Sequence, residues 1–227
     1  VGNELETDAS GIGALAEPAR RELYLFVAGQ PEAVSREQAA RGVGVPVHTA
    51  KFHLDRLVEE GLLDIEFRRL SGRTGPGAGR PSKLYRRSSR EVSVSLPERR
   101  YDLAGEILAS AVDRAAGGGI AVDAAVREAA GLEGRRLAAG SVDTEGSELE
   151  RTTEVLARHG YEPRCADDEI TLANCPFDAL AREHTDLVCG LNIALIDGVL
   201  EGLGCTHMEA CLDPEPGMCC VKARLRP

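Results

Sequence analysis

The run SREQAARGVGVPVHTAKFHLDRLVEEGLL, residues 35–63, constrains this chain more than any other stretch. Ser35 is followed three positions later by Gln38, the spacing at which a helix start satisfies its own unpaired N–H groups. Gly42 and Gly44 predict the stop of that helix, since glycine accepts the left-handed conformation a C-cap needs. Pro46 suits the first turn of a second helix, where its missing N–H costs nothing. There Ala50, Leu54, Leu57 and Val58 recur at helical spacing and predict one buried face. His48, Lys51, Phe52, Asp55 and Arg56 fall elsewhere on the cylinder. Gly61 ends the helix, and residues 62–70 read as a strand.

Two short helices about a glycine turn, then a strand, predict a helix-turn-helix followed by a β-wing. Residues 66–90 hold eight basic side chains (Arg68, Arg69, Arg73, Arg80, Lys83, Arg86, Arg87, Arg90) against the single acid Glu66. Between the strands runs SGRTGPGAGRP, too rich in glycine for a helix or a packed strand. Such a tip can lie against phosphates or enter a minor groove. Taken alone it is equally a solvated basic hairpin. Beside a helix-turn-helix it predicts contact with a double-stranded DNA operator. His48, Thr49, Lys51 and Arg56 would do the reading from the second helix, and Arg73, Arg80 and Lys83 would act from the wing.

The net charge of −10 is at odds with such a role until it is divided. Residues 34–90 carry +6, and the remainder carries −16. A basic module on an acidic body fits local phosphate contact. No run approaches the roughly 18 apolar residues of a membrane span. Residues 1–10 are polar and acidic, unlike a signal peptide, so a cytoplasmic location is expected. In a reducing compartment, seven cysteines point to metal or redox chemistry before disulfides. No Ser/His/Asp set or carboxylate pair suggests an enzyme.

The predicted organisation is α+β. Residues 1–13 are expected to be a disordered tail and 14–97 a winged domain whose first helix covers 17–28. Pro97 marks the boundary. Residues 101–116 are strongly helical, with Leu103, Ile107, Leu108, Ala111 and Ala115 in one stripe. The segment 98–117 reads as a linking and dimerisation helix, or equally as a helix buried in the C-terminal domain. Residues 118–227 form an α/β, cysteine-rich sensor domain. In it helices are expected over 120–130, 148–159, 177–181 and 184–202, a loop over 133–147, a hairpin over 161–173, and a last strand over 219–225.

Six cysteines fall between Cys175 and Cys220, within 46 residues. A single free cysteine is often only a small buried hydrophobe; six together are harder to explain as packing. The gaps are long, with 13 residues between Cys175 and Cys189, 15 to Cys205 and 13 to Cys219. Without a C-x-x-C knuckle a zinc ribbon is disfavoured, and ligands must converge from separate elements. Cys175 precedes a helix, where N–H groups favour a thiolate. Strand alternation turns Cys219 inward and Cys220 outward. Cys165 is expected to be structural and Cys211 to sit in an exposed loop.

Residues 39–63, followed by GPGAGRPSKLY (residues 75–85), resemble the winged-helix domain of ArsR-type bacterial regulators, within them the SufR-like branch of iron–sulfur-dependent repressors. The resemblance continues through NCPFDALA (residues 174–181), LVC (187–189) and PGMCC (216–220). It implies a [4Fe–4S] cluster on three or four of these cysteines, taken as Cys175, Cys189, Cys205 and Cys219. The gaps depart from the family most around Cys205, so the fourth ligand stays open to Cys211, Cys220, His184, His207 or an exogenous donor. The resemblance further implies a homodimeric repressor of cluster-assembly genes. Zinc or a small organic ligand is the alternative occupant, since the domain also looks faintly like vinyl-reductase-type hydrocarbon-binding domains. A metal-free thiol switch at Cys219 and Cys220 is the third reading.

Overall fold

The computed structural model describes residues 2–69, 81–140 and 146–226. The chain divides into two compact units at Val94 and Ser95. Among the described residues no helix is long and apolar enough to cross a membrane.

The N-terminal unit begins with α1 (Gly2–Ala14) and α2 (Pro18–Ala28), followed by β1 (Val34–Ser35), α3 (Arg36–Val43) and α4 (Val47–Glu59), then β2 (Leu63–Arg68) and β3 (Ser82–Arg87). Ser35 caps α3 as its spacing predicts, with the reciprocal Gln38 bond in place. Gly44 ends α3 at φ +79°. Gly42 does not end it. A Cβ there would fall 2.0 Å from the Phe26 ring, so this glycine admits α2 against α3. Ala50, Leu54 and Leu57 are buried to 0% exposure, and Val58 packs at the edge. The strands pair antiparallel in the order β1–β3–β2, with Val34 opposite Tyr85 and Ile65 on the other side of the same residue.

Residues 2–14 correct the expectation of a disordered tail, because they form α1. Polar composition conceals the reason: Gly11 and Ala14 are buried, and a Cβ on Gly11 would lie at ordinary contact distance, 3.7 Å, from Leu62. Asp8 is ion-paired with Arg90.

The C-terminal unit contains α5 (Tyr101–Ala116), α6 (Val122–Ala139), α7 (Glu148–Arg158), β4 (Pro163–Ala166), β5 (Glu169–Leu172), α8 (Asp178–Glu183), α9 (Thr185–Gly202), β6 (Met208–Leu212) and β7 (Val221–Leu225). Its antiparallel sheet runs β4–β5–β7–β6. Leu103, Ala104, Ile107 and Ala111 of α5 are buried in this unit's core, so α5 is part of that unit and not a free-standing linker.

The expected loop over 133–147 is overturned as far as Ala139, because α6 continues to that residue. Gly134 looks like a breaker in sequence, but it serves helix packing. A Cβ on Gly134 would fall 2.1 Å from the Leu195 carbonyl oxygen, and one on Gly198 would fall 2.2 Å from that of Gly131. The backbones of α6 and α9 therefore touch. Residues 208–212 are a strand as well, pairing Cys211 with Lys222, where a loop was expected.

Candidate nucleic-acid interface and cysteine site

In the N-terminal unit α3 and α4 supply the two helices, and β2 and β3 supply the arms of the wing. On α4, His48 and Lys51 are exposed and Thr49 is half-buried. Lys51 is paired with Asp55 at 2.9 Å, and Arg56 is paired with Glu59 at 3.3 Å and with Glu60. Lys83 of β3 reaches the same Asp55 at 2.5 Å and lies 5.0 Å from the centre of the Tyr85 ring. Arg73 and Arg80 lie outside the described residues.

Asp55 therefore joins the helix to the wing. Its carboxylate accepts from Lys51, from Lys83 and, at 2.9 Å, from the Tyr85 hydroxyl. Burial alone would raise its pKa, but these three donors outweigh it and hold the carboxyl at about 2. Burial first, and then the same hydrogen bond, push the Tyr85 phenol up. The sequence reading placed Asp55 off the buried face without a role. It also passed over Phe52 and Phe67, which are 65% and 68% exposed on the helix and the wing strand. Two aromatics left in water beside cationic side chains were the missed signal. His53, on the opposite side of α4, is buried beside Glu17 and Arg20.

In the C-terminal unit four cysteines converge from three places. Cys175 lies in the turn between β5 and α8, Cys189 on α9, and Cys219 and Cys220 in the residues leading into β7. Cys175 and Cys219 stand close enough for each to shift the ionisation of the other, and so do Cys189 and Cys220. Cys189 also feels the charge of Cys175, and Cys219 that of Cys220, so the four thiols make a loose ring of two nearer pairs. The Cys219 S–H and the Phe177 backbone N–H both favour the Cys175 thiolate, against the opposing effect of burial. Burial, followed by the nearness of Cys220, raises the Cys189 thiol to about 11. The Cys219 thiol is pushed up, first because its proton is engaged by Cys175 and next by burial.

Cys220 was expected to point outward. The alternation argument fails because β7 begins only at Val221. The two cysteines before it lie in a turn closed by the Asp213 N–H on the Cys220 carbonyl at 2.8 Å. Lys222, itself nearly buried, pins that turn through Asp213 at 2.8 Å and Glu215 at 3.6 Å. Cys205 does not join the ring in this structure. It packs with Thr152 at 3.8 Å, and Thr152 also donates to Met208. Cys165 lies on the hairpin strand β4, paired with Ile170 and exposed, and Cys211 is half-buried. His184 and His207 are exposed, and His207 is paired with Glu148.

The backbone around Cys175 is fixed from outside the ring. Asn174 donates to the carbonyls of Gly160 at 2.6 Å and Glu98 at 2.9 Å, and Arg99 donates to the Cys175 carbonyl at 3.0 Å. Among the described residues no three His, Cys, Asp or Glu side chains stand around one point closely enough to hold a single metal ion. Four thiols in an apolar setting of Leu172, Phe177, Val188 and Val221 are nevertheless the donor chemistry that suits iron–sulfur ligation.

Residues 15–66 match a helix-turn-helix domain family. No curated protein and no solved structure matches the chain. With the three-stranded sheet behind the two helices, the match makes the N-terminal unit a winged helix-turn-helix, the DNA-binding domain of transcriptional regulators.

Proposed function

We propose that this protein is a transcriptional repressor of the SufR-like, ArsR-type branch that reports iron–sulfur or redox status through a [4Fe–4S] cluster in its C-terminal unit. The observation that carries the reading is the ring of Cys175, Cys189, Cys219 and Cys220. These four would be the ligands, with Cys220 in the place first expected for Cys205. When bound, the cluster supplies an oxidant-sensitive cross-link among the three segments that bear the cysteines. The chain's own residues do the rest. Phe177 N–H favours the anionic sulfur of Cys175, Lys222 holds the Cys219–Cys220 turn, and the glycine contact between α6 and α9 fixes the helix that carries Cys189.

At the other unit, His48, Thr49 and Phe52 would face base edges, and Lys51, Arg56, Lys83, Arg73 and Arg80 would face phosphates or a minor groove. A homodimer on a two-fold operator is the arrangement this class uses. A cluster can change DNA affinity only by favouring one conformer over another, so the loaded and empty proteins must differ in affinity. The test is the visible spectrum with iron and acid-labile sulfide content of protein purified without oxygen, followed by operator binding of both forms. A brown protein with about four irons and four sulfides per chain supports the reading. A colourless zinc protein refutes the cluster and leaves the DNA-binding domain standing.

A further inference from the structure

Asn192 is 1% exposed and sits on α9 among Leu191, Leu195 and Ile196. A buried amide is unfavourable unless its groups are bonded, so its partners explain its presence. Tyr161, also 1% exposed, donates its hydroxyl hydrogen to Asn192 Oδ1. With the oxygen taken, the amide is oriented, and Nδ2 donates to Cys219 Sγ at 3.3 Å. Cys219 in turn neighbours Cys175. The Tyr161 ring is braced edge-on against Phe177, with centroids 6.4 Å apart and planes at 90°. Phe177 is the residue whose N–H serves Cys175. Both donors aimed at the sulfurs are thus held by one aromatic pair.

We propose that Asn192, aimed by Tyr161, is the positioning residue of the cysteine site, a fixed N–H donor to the Cys219 sulfur that sets how tightly and at what potential the site holds its cluster. The inference rests on the reading under Proposed function. Hydrogen bonds to cysteinyl sulfur draw off negative charge and raise a cluster's reduction potential. Partners that orient ligands also govern retention of the bound metal. A flipped amide would set its carbonyl oxygen against an anionic sulfur. The Tyr161 bond selects the other orientation before any cluster is present.

The test uses the full chain, loaded without oxygen, as wild type, Asn192→Leu and Tyr161→Phe. Asn192→Leu keeps the branched shape and removes the donor. It should take up the same iron and sulfide but show a more negative midpoint potential and lose iron to a chelator roughly tenfold faster. Tyr161→Phe removes one oxygen and should move both readouts the same way by less. If Asn192→Leu does not fold, the Tyr161→Phe potential decides; an unchanged potential in the folded variants overturns the proposal. A second readout needs no cluster. In reduced, metal-free protein one Asn192 side-chain amide proton should resonate as a hydrogen-bonded proton, and Cys219→Ala should shift it. A resonance unmoved by Cys219→Ala overturns the contact. Wild type that accepts no cluster would refute the proposed function instead, with the Asn192 bond decided by this amide measurement.

Discussion

Replacing Asp55 by Asn should loosen the wing from the recognition helix by an amount the structure lets one work out. Asp55 is the shared acceptor of Lys51, Lys83 and Tyr85. Its carboxyl titrates at about 2 in the folded chain against 3.8 for a free aspartate. That difference is about 2.5 kcal/mol of preference for the folded, ionised state. The side chain is 28% exposed, so solvent screening trims the figure to about 1–2 kcal/mol. Because the folded pKa is depressed, the contribution is complete above the unfolded value of 3.8 and is lost as pH falls through about 2. Peptide-resolved hydrogen exchange at pH 7 should show amides of β2, β3 and the end of α4 exchanging about 5–30-fold faster in Asp55→Asn. A carbon-13 titration of the Asp55 carboxyl should give a midpoint near 2. Equal exchange in the two proteins, or a midpoint near 3.8, would refute the clamp.

Cys220→Ser should impair cluster retention as severely as Cys175→Ser, while Cys205→Ser should retain iron and sulfide; iron analysis of anaerobic samples separates them. Gly198→Ala should destabilise the C-terminal unit by about 3 kcal/mol or more, because the new methyl would fall 2.2 Å from the Gly131 carbonyl oxygen; denaturant unfolding followed by circular dichroism gives the value. Phe52 should contact a thymine methyl, so replacing the contacted thymine by uracil in a selected operator should weaken wild type about fourfold and leave Phe52→Ala indifferent. A uracil effect of equal size in both proteins would exclude it. Arg80→Ala should lower the salt slope of DNA binding by about one unit at every sequence, and an unchanged slope would remove Arg80 from the phosphate contacts.

The winged part of the N-terminal unit, unlike α1, was readable because its signals are local. The Ser35–Gln38 capping box, the apolar spacing of α4 and the basic wing each act within a few residues of sequence. Glycine was harder to interpret, because its missing side chain serves either a turn or a close approach. Gly44 and Gly61 adopt positive φ and end helices, while Gly42, Gly134 and Gly198 lie where a neighbour leaves no room for a Cβ. Only the tertiary partner distinguishes the two uses, and so α6 was cut short. At the cysteine site, the importance of Cys175, Cys189 and Cys219 came from their density and the motifs around them. That Cys220, and not Cys205, lies beside the other three depended on where β7 begins, a boundary that alternation cannot locate. Asn192 carried no signal at all, being one polar residue in an apolar helix whose role depends on Tyr161, 31 positions away.

The helix α9 serves several neighbours at once. After its first turn, no residue from 188 to 200 is exposed. Cys189 and Asn192 serve the thiol ring, Leu195 and Ile196 fill the core, and Gly198 meets the backbone of α6. A helix of this kind has one narrow permissive side, the half-buried stripe of Gly190, Ile193, Ala194 and Asp197, where a Cβ on Gly190 would meet open space. Saturation mutagenesis should find nearly every replacement at the buried positions deleterious, with tolerance at Gly190 and again at Leu187 and Glu201. One inserted residue would turn everything beyond it by about 100°, uncoupling the glycine seam from the thiol ring in a single step. Variation between relatives should therefore accumulate in the loops that α9 joins, while the helix itself stays nearly fixed in sequence.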